Sequence, residues 1–246
     1  MENWLGLMIG NSRLHWVYFQ GGELRKTWNT LQADTVRELE TVLDAELYGL
    51  LQSRISLYVA SVVPSATKIY LSLPQTIIID YKTIPLKNIY DSMGCDRILA
   101  LWGGGNHYGF PCLVIDSGTA LTFSGADANH CFQGGAIMPG VKLQLQSLFF
   151  NTAALPEVEI MGDITPRWGN NTYCAIQSGV IYTIVAGIKD FAQDWLKKYP
   201  ESKVILTGGD ALLLSTYIKS IYPDFSPQFI VDPNLIFWGM QSYANH

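Results

Sequence analysis

Short apolar runs broken by glycine and polar residues alternate along the chain with stretches of helical spacing, and this alternation predicts an α/β fold. Two segments share one pattern. Trp4 to Ile9 is a nearly continuous apolar run, broken by Gly10-Asn11-Ser12 and followed by a second β-prone stretch from Arg13 to Phe19. Cys112 to Ile115 repeats it, broken by Asp116-Ser117-Gly118-Thr119 and followed by Ala120 to Ser124. Each reads as a β-hairpin. Gln20-Gly21-Gly22-Glu23 and Ala126 to His130 read as turns into further strands. Two related lobes, each opening on a hairpin, would produce this pattern; so would chance in a chain rich in sheet.

The intervening segments supply the rest of the α/β alternation. Leu39, Val42, Leu43, Leu47, Leu50 and Leu51 recur at helical spacing and predict a helix over Asp34 to Ser53. Ile55 to Val63 reads as a strand ended by Pro64, and Ile77 to Tyr81 as another strand. A helix starting at Asp96 and ending at Trp102 is predicted, stopped by Gly103-Gly104-Gly105. Leu143 to Phe150 and Ala175 to Leu196 read as helices. Val204 to Leu206 reads as a buried strand ending at Thr207-Gly208-Gly209-Asp210, followed by helices at Ala211 to Ile221 and Leu235 to Tyr243. The lobes are expected at 1–110 and 111–246.

Composition narrows the class. The 246 residues are 48% hydrophobic and only 15% charged, enough for two substantial cores. The net charge of −5 argues against a nucleic-acid backbone as main partner, which needs a basic surface. No apolar run approaches the roughly 18 to 20 residues of a membrane span, and Met1 to Leu7 lacks the features of a signal peptide. The expectation is a cytoplasmic protein. Cys95, Cys112, Cys131 and Cys174 form no CxxC pair and have no metal-ligand spacing with the four histidines, so they read as reduced thiols.

The candidate chemistry lies in the glycine-bearing turns. There is no Walker A motif: Gly135 and Gly140 are suitably separated, but Val141-Lys142 follows where Gly-Lys and a hydroxyl residue are required. In Asp116-Ser117-Gly118-Thr119-Ala120, a carboxylate ending a buried strand can hold a cation. Gly118 admits an anion close to the backbone, and Thr119 adds a hydroxyl and an amide. The same residues also make an ordinary β-turn. Gly10-Asn11-Ser12 is a parallel turn, with Met8 at the position matching Asp116. Gly208 and Gly209, at a strand-to-helix turn, leave room for a flat ring such as adenine, or merely connect two elements. In Gly94-Cys95-Asp96-Arg97 a carboxylate at a helix start is stabilised as an anion and can accept a proton. Arg97 can bind a carboxylate or phosphate in two-pronged fashion; the alternative is a capping Asp beside a solvated Arg. Gly134 to Gly140 reads as a loop against a ligand or a tight connection.

Taken in order, these pieces resemble the type III pantothenate kinases from end to end. The matching segments are Ile9-Gly10-Asn11-Ser12, Ser61-Val62-Val63-Pro64, Gly94-Cys95-Asp96-Arg97 and Asp116-Ser117-Gly118-Thr119-Ala120. They continue with Gly134 to Gly140, Gly169-Asn170-Asn171-Thr172, Ser178-Gly179 and Thr207-Gly208-Gly209-Asp210. The resemblance implies two duplicated actin-like (ribonuclease H-like) lobes, each a mixed sheet flanked by helices. It implies phosphorylation of pantothenate by ATP with Mg²⁺, a monovalent cation (K⁺ or NH₄⁺), and a homodimer. It implies Asp96 as general base, and Gly94, Cys95, Asp96, Arg97, Thr172 and Tyr90 as substrate-binding residues. Ile9, Gly10, Asn11, Ser12, Thr119, Gly208 and Gly209 are implied to face ATP, and Asp116 to hold the monovalent cation.

The chain departs from the family pattern at Met8 and Ser124, where the family has Asp, and in the spacing of Tyr90 from the Gly94 motif. Thioether sulfur is a poor Mg²⁺ ligand. Two other readings therefore stand beside the first: a nucleotide-binding regulator of the same fold, or a kinase acting on a sugar or another acid.

Overall fold

A computed structural model describes residues 3–32, 35, 38–160 and 164–245. The chain divides into two compact units, Met1–Asn106 with Ile236–His246, and 107–235. In the first, β1 (Trp4–Ile9), β2 (Leu14–Gln20), β3 (Glu23–Thr30), β4 (Ser56–Ser61) and β5 (Thr76–Ile78) form a sheet in the order β3-β2-β1-β4-β5. β1 to β3 pair antiparallel, while β1, β4 and β5 run parallel. In the second unit, β6 (Cys112–Ser117), β7 (Ala120–Ala126), β8 (Phe132–Pro139), β9 (Lys203–Thr207) and β10 (Phe229–Val231) form a sheet ordered β8-β7-β6-β9-β10. Its strand directions are the same. The duplication suggested by the two hairpins is thus present strand for strand.

Helices α1 (Leu39–Val42), α2 (Ala45–Gln52) and α3 (Pro64–Leu71) supply Leu39, Leu47 and Tyr70 to a core with Leu5, Leu7, Ile9, Trp16, Leu57 and Val59. These strand residues alternate, so they share one face of the sheet. α4 (Cys95–Tyr108) follows. In the second unit α5 (Val141–Phe150), α6 (Thr172–Lys198) and α7 (Ala211–Ile221) cover Leu113, Ile115, Leu121, Phe123, Val204 and Leu206. α8 (Leu235–Ala244) groups with the first unit from Ile236 onward, rather than with the second, where the sequence placed it. Its Met240 methyl reaches Gly6 of β1 on the face opposite α1 to α3, and its Gly239 lies on α4. A Cβ at Gly239 would come within 2.1 Å of the Leu99 carbonyl oxygen.

Several elements differ from expectation for identifiable reasons. The helix expected over 34–53 begins in a segment outside the described residues, and from Leu39 it is split. Leu43 is extended, and Asp44 caps a new helix by accepting from the Leu47 N–H at 2.8 Å. Pro64 does more than end β4: its fixed φ suits the first helical position of α3. α4 runs straight through Gly103-Gly104-Gly105, all buried, so tertiary packing overrides a propensity cost of roughly 1 kcal/mol per glycine. Gly134 to Pro139 is neither loop nor tight connection but strand β8, paired along β7.

Candidate active site

The first unit gathers its candidate residues at the C-terminal ends of two parallel strands. The Val62 N–H, just past β4, donates to the Ile9 carbonyl at the end of β1, at 3.1 Å. Val62 also borders Gly94, the residue before α4. This brings the Gly10 turn, Ser61 to Val63 and the start of α4 to one edge. The Cys95 thiol donates to the Ser61 carbonyl at 3.2 Å and ties the helix start to β4. Burial pushes that thiol up to about 12, and the nearby Asp96 charge adds to the rise.

Asp96 folds back over Gly94. A Cβ at Gly94 would lie 2.4 Å from Asp96 Oδ1, so only glycine leaves space for this carboxylate. The same oxygen accepts from the Arg97 backbone N–H at 2.8 Å, using one of the donors that a helix N-terminus leaves unpaired. Arg97 is buried, and its Nη1 donates to the Tyr90 hydroxyl at 2.5 Å. Tyr90 is brought there by a turn in which the Met93 N–H donates to the Tyr90 carbonyl. The structure therefore places Tyr90 beside Arg97 despite its unusual spacing in sequence.

The second unit builds a different cluster at the equivalent edge. Asp116 and Thr207 pair in register on parallel β6 and β9. Gly208 follows with φ +91°, a conformation that favours glycine. A Cβ there would fall 2.4 Å from Asp116 Oδ1 and 2.5 Å from the Ser117 carbonyl. The Ser117 carbonyl also accepts from the Asp210 N–H at 2.9 Å. Gly209 has open space beside it. Gly140 packs from the other side: its N–H donates to the Thr119 carbonyl at 2.9 Å, and a Cβ would meet the Gly118 carbonyl at 2.1 Å. Gly140 caps α5 with no side chain, so the first N–H groups of α5 start at the Gly118-Thr119 turn. Sequence reading placed Gly140 in a ligand loop or tight connection; it is instead the residue that precedes α5.

Thr172 opens α6 after Asn171, whose Oδ1 accepts from the Cys174 N–H at 3.0 Å. It lines an open groove of about 630 Å³ with Gln144, Asn170, Asn171 and Gly179. Gln144 stands four residues after Gly140, roughly 6 Å along α5. Gln144 is a lining residue that the sequence pattern did not single out. Among the described residues no three His, Cys, Asp or Glu side chains gather as a metal cluster. A cation at Asp116 would instead draw on carboxylate and carbonyl oxygen, a donor set suited to hard ions.

A profile of the type III pantothenate kinase family matches residues 4–194. The chain is 46% identical to the type III pantothenate kinase of Nostoc sp., covering 98% of this chain and 95% of that protein. This chain belongs to the type III pantothenate kinase family. Two solved structures share its fold at low identity. One is a conserved putative Baf family transcriptional activator from Campylobacter jejuni (TM-score 0.64, 21% identity, 98% and 97% of the two chains). The other is a putative 2-dehydro-3-deoxygalactonokinase from Sinorhizobium meliloti (TM-score 0.56, 12% identity, 98% and 96%). These likenesses agree with the fold described above, two duplicated mixed sheets flanked by helices.

Burial raises the Asp210 carboxyl above its ordinary value, because the half-enclosed start of α7 disfavours the anion. A raised acid binds its proton more tightly folded than unfolded. Its contribution to stability is full below the unfolded value, near 3.8, and is lost as pH rises through the folded one. Asp210→Asn removes this titration. The melting temperature of Asp210→Asn should gain on that of the wild type as pH rises from about 3.5 to 7. A constant difference across that range would show that Asp210 carries no such penalty.

Proposed function

We infer that this chain transfers the terminal phosphoryl group of ATP to the hydroxyl of pantothenate, giving 4′-phosphopantothenate at the first step of coenzyme A biosynthesis. Membership of the family over nearly the whole chain supports this. The observation that carries it is the Gly94 to Arg97 geometry, where one helix start presents an aimed carboxylate beside a buried guanidinium. Arg97 and Tyr90, with Gly94 and Cys95, bind and orient pantothenate; Thr172 of the second unit is a further proposed substrate-binding residue. Asp96 accepts the hydroxyl proton as the oxygen forms its bond to the γ-phosphorus, and the bond to the β-phosphate oxygen breaks to release ADP. Little covalent help is needed; positioning and charge neutralisation supply most of the rate.

Each unit contributes residues proposed to bind ATP: Ile9 to Ser12 in the first, and Thr119, Gly208 and Gly209 in the second. Mg²⁺, carried on the phosphates, supplies further charge neutralisation. Asp116 with the Ser117 carbonyl holds a monovalent cation; both oxygens lie against the Gly208 backbone, and their closeness to one point supports that role. The enzyme works in the cytoplasm; among the described residues no helix is long and apolar enough to cross a membrane. It works as a homodimer. Trp168 is 87% exposed, Phe150 69% and Tyr173 55%, and two of these flank the segment that carries Thr172. Light scattering at assay concentration showing a fully active monomer would remove the dimer.

Asp96→Asn should lower pantothenate-dependent turnover by about 10² or more while ATP binding survives; near-normal turnover would take Asp96 out of the mechanism. Activity should rise with K⁺ or NH₄⁺ and stay low in Na⁺ at constant ionic strength, and indifference to the ion would count against Asp116 as its ligand. Met8 favours the regulator reading, because it removes one carboxylate from the ATP side. Absence of pantothenate-dependent turnover at every Mg²⁺ level in the wild type, with turnover restored in Met8→Asp, would decide for that reading.

A further inference from the structure

The first unit's sheet carries a cavity on one face, at its edge strand. Gly6 of β1, Tyr58 of β4 and Ile77 of β5 pair in register on parallel strands, so these positions share a face. On that face the Met240 methyl of α8 packs against Gly6. Tyr243, in the last turn of α8, meets the Tyr58 ring edge-on with centroids 6.4 Å apart. Ile77, on the outermost strand, stays 37% exposed. A cavity of about 530 Å³ occupies this corner, walled by Tyr58, Ile77, Tyr243 and Trp102 of α4. That volume is in the range of small-molecule sites. The cavity lies away from the residues assigned to pantothenate: Asp96 stands roughly 9 Å before Trp102 along α4.

The lining restricts what can enter. Among the described residues no Asp, Glu, Lys, Arg or His lines the cavity. A charged ligand would give up water there and gain no counter-ion. ATP and pantothenate are both anions, so neither suits it. Three aromatic side chains on separate elements favour a flat ring, through stacked or edge-to-face contact.

The polar groups are few and gathered at one residue. The Tyr243 hydroxyl accepts from the Asp80 N–H at 3.2 Å, which leaves its own proton to donate. The Thr83 hydroxyl, also on the lining, donates to the Asp80 carbonyl at 2.8 Å, which leaves its oxygen to accept. Trp102 Nε1 donates to Ser242 Oγ at 3.0 Å and is spent there. Asp80 is itself held in place. Its Oδ1 accepts from the Lys82 N–H at 3.1 Å and starts a single 3₁₀ turn at Tyr81–Thr83, and the buried Ile84 and Leu86 pin the chain that follows. The backbone of one fixed residue thus anchors a donor and an acceptor side by side.

We propose that this cavity binds a neutral, flat aromatic molecule whose edge carries an acceptor next to a donor, as an aromatic carboxamide does. The ligand carbonyl accepts from Tyr243, the amide N–H donates to Thr83, and the ring lies among Tyr58, Trp102 and Tyr243. The site is independent of the reaction proposed above.

Benzamide is the probe, titrated into the full chain by calorimetry and by saturation-transfer NMR. Saturable binding is expected with Kd on the order of 1 mM, the range for so small a ligand. Benzoate has the same shape but a charge, and should bind at least about tenfold more weakly. N,N-dimethylbenzamide lacks the N–H donor and should bind about three- to tenfold more weakly. A saturating non-hydrolysable ATP analogue with pantothenate should leave the benzamide affinity unchanged. Ala244→Phe and Ile77→Trp fill the cavity from two different elements, and each should abolish binding in a protein that melts cooperatively. Binding that does not saturate at the solubility limit would overturn the proposal. So would equal affinity for benzoate or for N,N-dimethylbenzamide. Displacement by the ATP analogue or by pantothenate would place the ligand in the active site instead, and wild-type affinity in either folded variant would place it elsewhere; both outcomes overturn the assignment. Should one variant fail to fold, the other carries the test.

Discussion

Parallel pairing of two central strands is the constraint on which both sites depend. β1 with β4, and β6 with β9, end at the same edge of their sheets, so each pair delivers two loops to one place. Backbone carbonyls and N–H groups at those ends must find partners across the gap. They do so loop to loop: Val62 to Ile9 in the first unit, and Asp210 to Ser117 in the second. A Cβ in the wrong place would hold the loops apart, which is why Gly140 and Gly208 sit at the contacts of the second unit, while Gly94 leaves room for the Asp96 carboxylate. The glycines create no chemistry themselves; they allow carboxylates, carbonyls and helix starts to approach a common point.

Much of this arrangement was legible in the chain because hairpins are local. The runs at Trp4 to Phe19 and Cys112 to Ser124 have short-range patterns with turn residues at their centres, and both form as read. Glycine was less informative, because its meaning depends on what lies opposite. Gly103 to Gly105 reads as a helix stop but is buried mid-helix, and Gly134-Gly135 reads as loop but pairs with β7. β10 is three residues long and exists through its pairing with β9, so no local pattern reveals it. α3 was hidden by Pro64, which both ends a strand and begins a helix.

The site was legible residue by residue but not as geometry. Asp96 and Arg97 are adjacent in sequence, yet their division of labour depends on Gly94 and Tyr90, which lie two and seven residues before them in different turns. Nothing in the spacing shows that Arg97 is buried or that its guanidinium meets a phenol.

Met8 and His15 are then best understood together. The side chain at position 8 is 3% exposed, so a carboxylate there would be buried and would need a cation close by. The nearest polar side chain in register is His15, and a carboxylate would draw its imidazole into an ion pair on the sheet face. The thioether avoids the desolvation cost. It leaves the first hairpin uncharged on β1 at the position where the second keeps the Asp116 carboxylate. The two turns therefore differ in charge and in length: four residues separate Ile9 from its partner Leu14, and three separate Ser117 from Leu121.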